Sequence, residues 1–160
     1  MIQIGWMKKN RVLILVLACF FSCRQLDIFE KNTNIPGMQW KSNVAVSGTF
    51  MIQDTTVSYN LLIVIRHTDA YRYNNLWLKV GIQAPGDTLR LQRKEFELGN
   101  DARGWEGLGM SDIWELRKPL NNIPGRFKKP GLYHFSIYQD MREDPLPNIL
   151  SAGLRIEKVK

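Results

Sequence analysis

Few side chains in this sequence have the types and spacing that chemistry requires. The two histidines, His67 and His134, lie far apart with no cysteine near either. Zinc takes three or four ligands at close spacing, so both histidines read as structural and no metal is expected. Two groups of carboxylates invite acid–base work: Glu95 with Glu97, and Asp140, Glu143 and Asp144 around Arg142. Cleaving a glycosidic bond needs two such groups at a fixed separation across a cleft. Arg142 offers the second group a simpler role as ion-pair partner. Calcium would suit its hard oxygens, but the spacing matches no calcium loop. Gly104-Trp105-Glu106-Gly107-Leu108-Gly109 lacks the Lys-Ser/Thr pair of a phosphate loop. Its glycines read as a tight connection needing positive φ or close backbone approach, with Trp105 as a plug. There is no Gly-x-Ser-x-Gly elbow either. No enzymatic activity, cofactor or small-molecule substrate is expected.

The remaining reactive groups are two thiols, Cys19 and Cys23, both near the N-terminus. They follow Lys8, Lys9 and Arg11 and close an apolar run over residues 12–21. A positive segment, a short apolar run and a small residue before the cut make a secretory signal. As a helix the run spans about 15 Å, half of a ~30 Å bilayer core, so it is no good transmembrane helix. Ser22-Cys23 sits at the apolar/polar boundary and resembles a bacterial lipobox. That resemblance implies acylation of Cys23 after cleavage between Ser22 and Cys23, with Phe20-Phe21 departing from the usual pattern. Cys19, after Ala18, is the alternative. Two or three acyl chains anchor stably where one binds marginally. Met7 is a possible alternative start to Met1.

Cleavage changes the charge. The chain has 160 residues and a net charge of +7. Removing residues 1–22 takes three cations and no acid, leaving 138 residues and +4. An exported chain meets little nucleic acid, so no nucleic-acid partner is expected. The densest basic stretch, Arg117, Lys118, Arg126, Lys128 and Lys129, reads as a solvated face or as a contact for an anionic lipid surface or an acidic protein.

Positioning falls to β-structure. Residues 1–22 are the signal, 23–43 the lipidated cysteine and a tether, and 44–160 one domain. Strands are expected at 44–52, 57–68, 76–82, 88–98, 113–120, 132–139 and 153–159, separated by Gly, Pro, Asp and Asn turns. Leu61-Leu62-Ile63-Val64-Ile65 is continuously apolar, as for a strand buried on both faces. No window carries a helical stripe. The expected fold is all-β, an antiparallel sandwich of immunoglobulin-like or jelly-roll-like type, with a closed barrel as the alternative.

Several segments together resemble one family. They include Ile65-Arg66-His67-Thr68, Tyr71-Arg72-Tyr73-Asn74-Asn75-Leu76-Trp77, Gly104-Trp105-Glu106-Gly107, Gly131-Leu132-Tyr133-His134-Phe135 and Gly153-Leu154-Arg155-Ile156-Glu157-Lys158. The chain is similar to the GldH gliding-motility lipoproteins of Bacteroidetes. The resemblance implies a palmitoylated lipoprotein of the cell envelope, in the outer membrane. It also implies work with other motility proteins coupled to type IX secretion, and a structural role rather than a reaction. Tyr71, Arg72, Tyr73 and the basic stretch are the expected contact surface. A surface carbohydrate-binding module using Trp77, Trp105 or Trp114 is the rival reading; it requires two exposed, coplanar tryptophans. Replacing Cys23 by Ala should abolish labelling with radioactive palmitate and release the domain from membranes. Persistent label would point to Cys19 or to no lipobox.

Overall fold

A computed structural model describes residues 28–159. Ser22, Cys19 and Cys23 lie outside the described residues. The strands are β1 (Ile28–Asn34), β2 (Gln39–Trp40), β3 (Val46–Ile52), β4 (Tyr59–Thr68), β5 (Asn75–Gln83), β6 (Gln92–Glu97), β7 (Gly99–Asn100), β8 (Gly104–Trp105), β9 (Leu108–Met110), β10 (Ile113–Pro119), β11 (Gly131–Gln139), β12 (Leu146–Pro147) and β13 (Ile149–Lys158). A five-stranded sheet runs β1-β13-β4-β10-β9, and a four-stranded sheet runs β3-β11-β5-β6. Their pairings are antiparallel, and the two sheets form an open sandwich.

Each expected strand window contains a strand. That at 88–98 narrows to Gln92–Glu97, and that at 153–159 begins earlier, at Ile149. The expected tether differs more. Ile28–Asn34, inside it, pairs with β13 residue for residue, from Ile28 opposite Glu157 to Asn34 opposite Ser151. Its polar sequence shows no alternation to read. What makes it a strand is the free edge of β13, which sequence patterning cannot display. Trp40 closes this region, buried at 1% exposure, with its indole N–H donating to the Val44 carbonyl at 2.9 Å.

The core lies between the sheets. Leu61, Ile63 and Ile65 of β4 bring one apolar row, and Leu154 and Ile156 of β13 extend it. Phe135 and Ile137 of β11 with Leu76 and Leu78 of β5 face them from the other sheet. Each such side chain contributes about 1.5–3 kcal/mol by leaving water. Phe50, Phe127 and Tyr133 cluster at one end, with ring centroids 4.8–5.7 Å apart.

The other face of β4 explains its continuous apolar run. Val64 points away from the second sheet, yet is only 1% exposed. It lies in register with Arg117 of β10 and Gly153 of β13. Arg117 reaches past both to Glu30 on β1, at 3.5 Å. It belongs to a chain of alternating charge: Arg66 to Glu115, Glu115 to Arg117, Arg117 to Glu30, Glu30 to Arg155 and Arg155 to Glu157. Burial pushes the Glu30 carboxyl up, but hydrogen bonds from Arg155 and Asn32 and the charge of Arg117 outweigh it and hold the group below its ordinary value. Single exposed ion pairs are worth about 0.2–1 kcal/mol. The row lies on the outer face of the sheet, where Arg117 is in register with Val64.

Gly153 is the tightest point of this surface. A Cβ there would meet the Lys31 carbonyl oxygen at 2.2 Å and Asn32 Oδ1 at 2.0 Å. Backbone of a paired strand cannot step aside without losing the ladder. Gly153→Ala should therefore lower stability by about 1–3 kcal/mol, read from urea unfolding midpoints. Gly125→Ala, whose Cβ meets nothing within 4 Å, serves as the unaffected control.

Candidate functional site

The expected contact residues are spread along the sandwich: residues 71–73 at one end, Arg117 and Lys118 over the middle of β4, and residues 126–129 at the other end. Tyr71, Arg72 and Tyr73 occupy the turn after β4, at what is here termed the distal end. Tyr71 is buried at 3% exposure, and its hydroxyl donates to the Asn75 carbonyl at 3.0 Å. Burial raises its phenol pKa, so it stays neutral. Of the three, then, only Arg72 and Tyr73 reach the surface. Both close on one carboxylate: Arg72 pairs with Glu143, and the Tyr73 hydroxyl donates to Glu143 Oε2 at 2.9 Å. That hydrogen bond, followed by burial and the charge of Glu143, raises the Tyr73 phenol.

Behind Tyr71 sits His67, fully buried. Its Nδ1–H donates to the Thr68 carbonyl at 2.8 Å, since a carbonyl can only accept. Nε2 is thereby left as an acceptor without a partner. Burial lowers the imidazole pKa and keeps the ring neutral. Trp105 packs edge-on against it with centroids 4.6 Å apart. The glycines around Trp105 do what their spacing suggests: Gly104 and Gly107 have φ of 75° and 96°. A Cβ on Gly107 would lie 2.2 Å from the Glu115 carbonyl oxygen.

The acids of the 140–144 group go to separate partners, whereas Glu95 and Glu97 line one shallow hollow with Asn74 and Asn75. Asp140 takes Lys79 and Arg93, each at 2.5 Å, and these two hydrogen bonds hold its carboxyl low. Asp144 accepts from the Ser42 hydroxyl at 2.6 Å and from the Ser42 backbone N–H at 2.9 Å, which lowers it too. Glu95 accepts from Asn75 at 2.5 Å. Gln139 went unremarked in the sequence, although strand parity places it inward after Tyr133, Phe135 and Ile137. It is 1% exposed, and its amide reaches the Trp40 and Glu143 carbonyls and accepts from the Met141 N–H. These contacts lash the loop at 140–148 to the distal end.

The basic stretch separates into two halves. Arg117 belongs to the ladder over β4, and Lys118 pairs with Glu106 at 2.5 Å. Lys129 pairs with Asp87 at 2.9 Å. Arg126 and Lys128 remain exposed, with no ion pair among the described residues. The tryptophans among the described residues are not free platforms. Trp40 is buried, Trp105 and Trp114 are half-buried, and Arg93 lies over the ring of Trp77 at 3.8 Å. An open cleft of about 740 Å³ runs between the sheets past Leu61, Val80, Ile82 and Leu120. Asp87 is the one acid lining it, so it joins no carboxylate pair.

A family model described as GldH lipoprotein matches residues 27–156. Gliding motility lipoprotein GldH of Flavobacterium johnsoniae is 29% identical over 158 residues, covering 94% of this chain and 97% of that protein. A GldH homolog of Christiangramia forsetii is 28% identical over 155 residues, covering 92% and 93%. Among solved structures, a β-porphyranase of glycoside hydrolase family 86 from Bacteroides plebeius gives a TM-score of 0.39 at 13% identity. It matches 82% of this chain and 20% of its own. That likeness is too loose to carry an argument.

Glu143 should be the fastener of the distal loops. In Glu143→Ala, the Tyr73 phenol should titrate back toward its ordinary value. The ultraviolet pH titration, with Tyr73→Phe to assign the signal, should show the midpoint falling. An unmoved midpoint would count against the clamp.

Proposed function

The chain belongs to the GldH lipoprotein family, and on that premise we propose that it is a gliding-motility lipoprotein. It acts as a non-enzymatic structural or assembly component of the machinery, coupled to type IX secretion. Acylated Cys23 holds it in the cell envelope, at the outer membrane, among other motility proteins. What carries this reading is the extent of the likeness: the match runs through the whole sandwich rather than through one motif. Relatives named for gliding motility align over more than nine-tenths of their own length.

The side-chain chemistry supports a scaffold. Each acid of the 140–144 group is engaged by a basic or hydroxyl partner, and none faces another across the cleft. Contact surface is available instead at β9, the outer strand of its sheet, where Leu108 and Met110 are 71% and 76% exposed. Free strand edges are ready templates for another chain. Anchoring raises the effective concentration of such a surface for membrane-bound partners.

Deleting the gene should abolish spreading on agar, and the wild-type gene should restore it. Restoration by Cys23→Ala would separate the motility role from the anchor. Normal spreading of the deletion strain would remove the role itself.

A further inference from the structure

The register of β1 determines which end of the sandwich the anchor can reach. Ile28 pairs with Glu157, and Glu157 with Asn60, at the beginning of β4. The chain therefore enters the domain opposite the His67–Tyr71 end, and β4 runs about 31 Å away from the entry at ~3.4 Å per residue step. Cys23 lies five residues before Ile28. Whatever their conformation, these residues span at most about 18 Å. An anchor at Cys23 holds the entry end near the headgroups.

That end carries a built protrusion. Tyr59 and Gly125 exchange backbone hydrogen bonds at 2.8 and 3.0 Å. The Leu120 N–H donates to the Leu61 carbonyl at 2.7 Å. Phe127 packs on Tyr59, Phe50 and Tyr133. Residues 121–124 thus stand out between two fixed points. At their tip Ile123 is 77% exposed, while its apolar neighbours Leu120 and Phe127 are tucked in.

Charge differs between the ends in the same sense. At the entry end Asp54 pairs with Lys158 and Asp87 with Lys129, so both acids are neutralised. Arg90, Arg126 and Lys128 are exposed and in no ion pair among the described residues. At the far end the unpaired cations Lys41, Arg103 and Arg142 are matched by the exposed acids Asp69, Asp101 and Asp112. A lone apolar tip flanked by unpaired cations is suited to an anionic lipid surface: the side chain enters the interface and the cations meet headgroup phosphates.

We propose that residues 120–130 are a membrane-contacting loop, with Ile123 inserted among lipid headgroups and Arg126 and Lys128 on their phosphates. The domain then stands on its entry end with His67, Tyr71 and the 140–148 loop turned away from the membrane. This rests on the anchor reading given above.

The test uses the full-length lipidated protein in vesicles of phosphatidylethanolamine and phosphatidylglycerol. An environment-sensitive fluorophore is placed on Ile123→Cys, or on Met38→Cys at the far end. A headgroup-borne quencher should quench position 123 at least about threefold more than position 38. Reversing Arg126 and Lys128 to Glu should weaken the loop's association by about fivefold per charge. Equal quenching at 123 and 38, in protein that still floats with the vesicles, overturns the loop contact and leaves the anchor standing. Failure to float overturns both. Protection of position 123 in intact cells with none in vesicles would assign the tip to a protein and overturn the lipid contact.

Discussion

The domain depends on burying β4 on both sides. Strand pairing on either edge is ordinary antiparallel sheet; its two covers are not alike. One is the apolar face of the second sheet, with Phe135 and Ile137 at its centre. The other is a single row of alternating charge, in which Arg117 crosses two strands to reach Glu30. Val64 is dry on the face that carries this row, in register with Arg117. Gly153 permits β1 to come close, since a Cβ there would meet the Lys31 carbonyl and Asn32. The first described strand is thus joined to the middle of the sheet by side chains as well as by its backbone ladder.

Elsewhere, too, polar groups fasten distant segments to one another. Glu143, Asp140, Asp144 and Gln139 each connect segments distant in sequence: 143 to 72–73, 140 to 79 and 93, 144 to 42, and 139 to 40. The Asp140 and Asp144 carboxyls, held by cations and by a hydroxyl, sit below their ordinary value, which suits a clip. His67, buried and neutral, fills the same role with its ring among Tyr71 and Trp105.

The strand windows could be read from the sequence because each central strand alternates or runs apolar, and burial enforces that pattern. The apolar run of β4 implied cover on both faces without showing that one cover is charged. Trp105 as a plug was legible from the glycines around it. Tyr71 was not separable from Arg72 and Tyr73, since three polar or aromatic residues in a turn carry no sign of which one points inward. The basic stretch at 117–129 looked continuous only in one dimension. A strand alternates its faces, so Arg117 and Lys118 part to opposite sides, and each finds an acid elsewhere: Glu30 on β1 and Glu106 in the connection between β8 and β9.

Periodicity alone determined the all-β class, and the charged-then-apolar pattern of residues 8–23, with its resemblance to a lipobox, raised the expectation of an export signal and of lipid attachment at Cys23. These depend on neighbours in sequence or on periodicity. Tertiary structure decided that residues 28–34 are an edge strand, that Glu143 clamps the distal loop, and which cations remain unpaired. Each of those depends on a partner far along the chain, on β13 for the first and on residues 72 and 73 for the second. Pairing at such separation is set by the packing of the two sheets, and no local pattern records it.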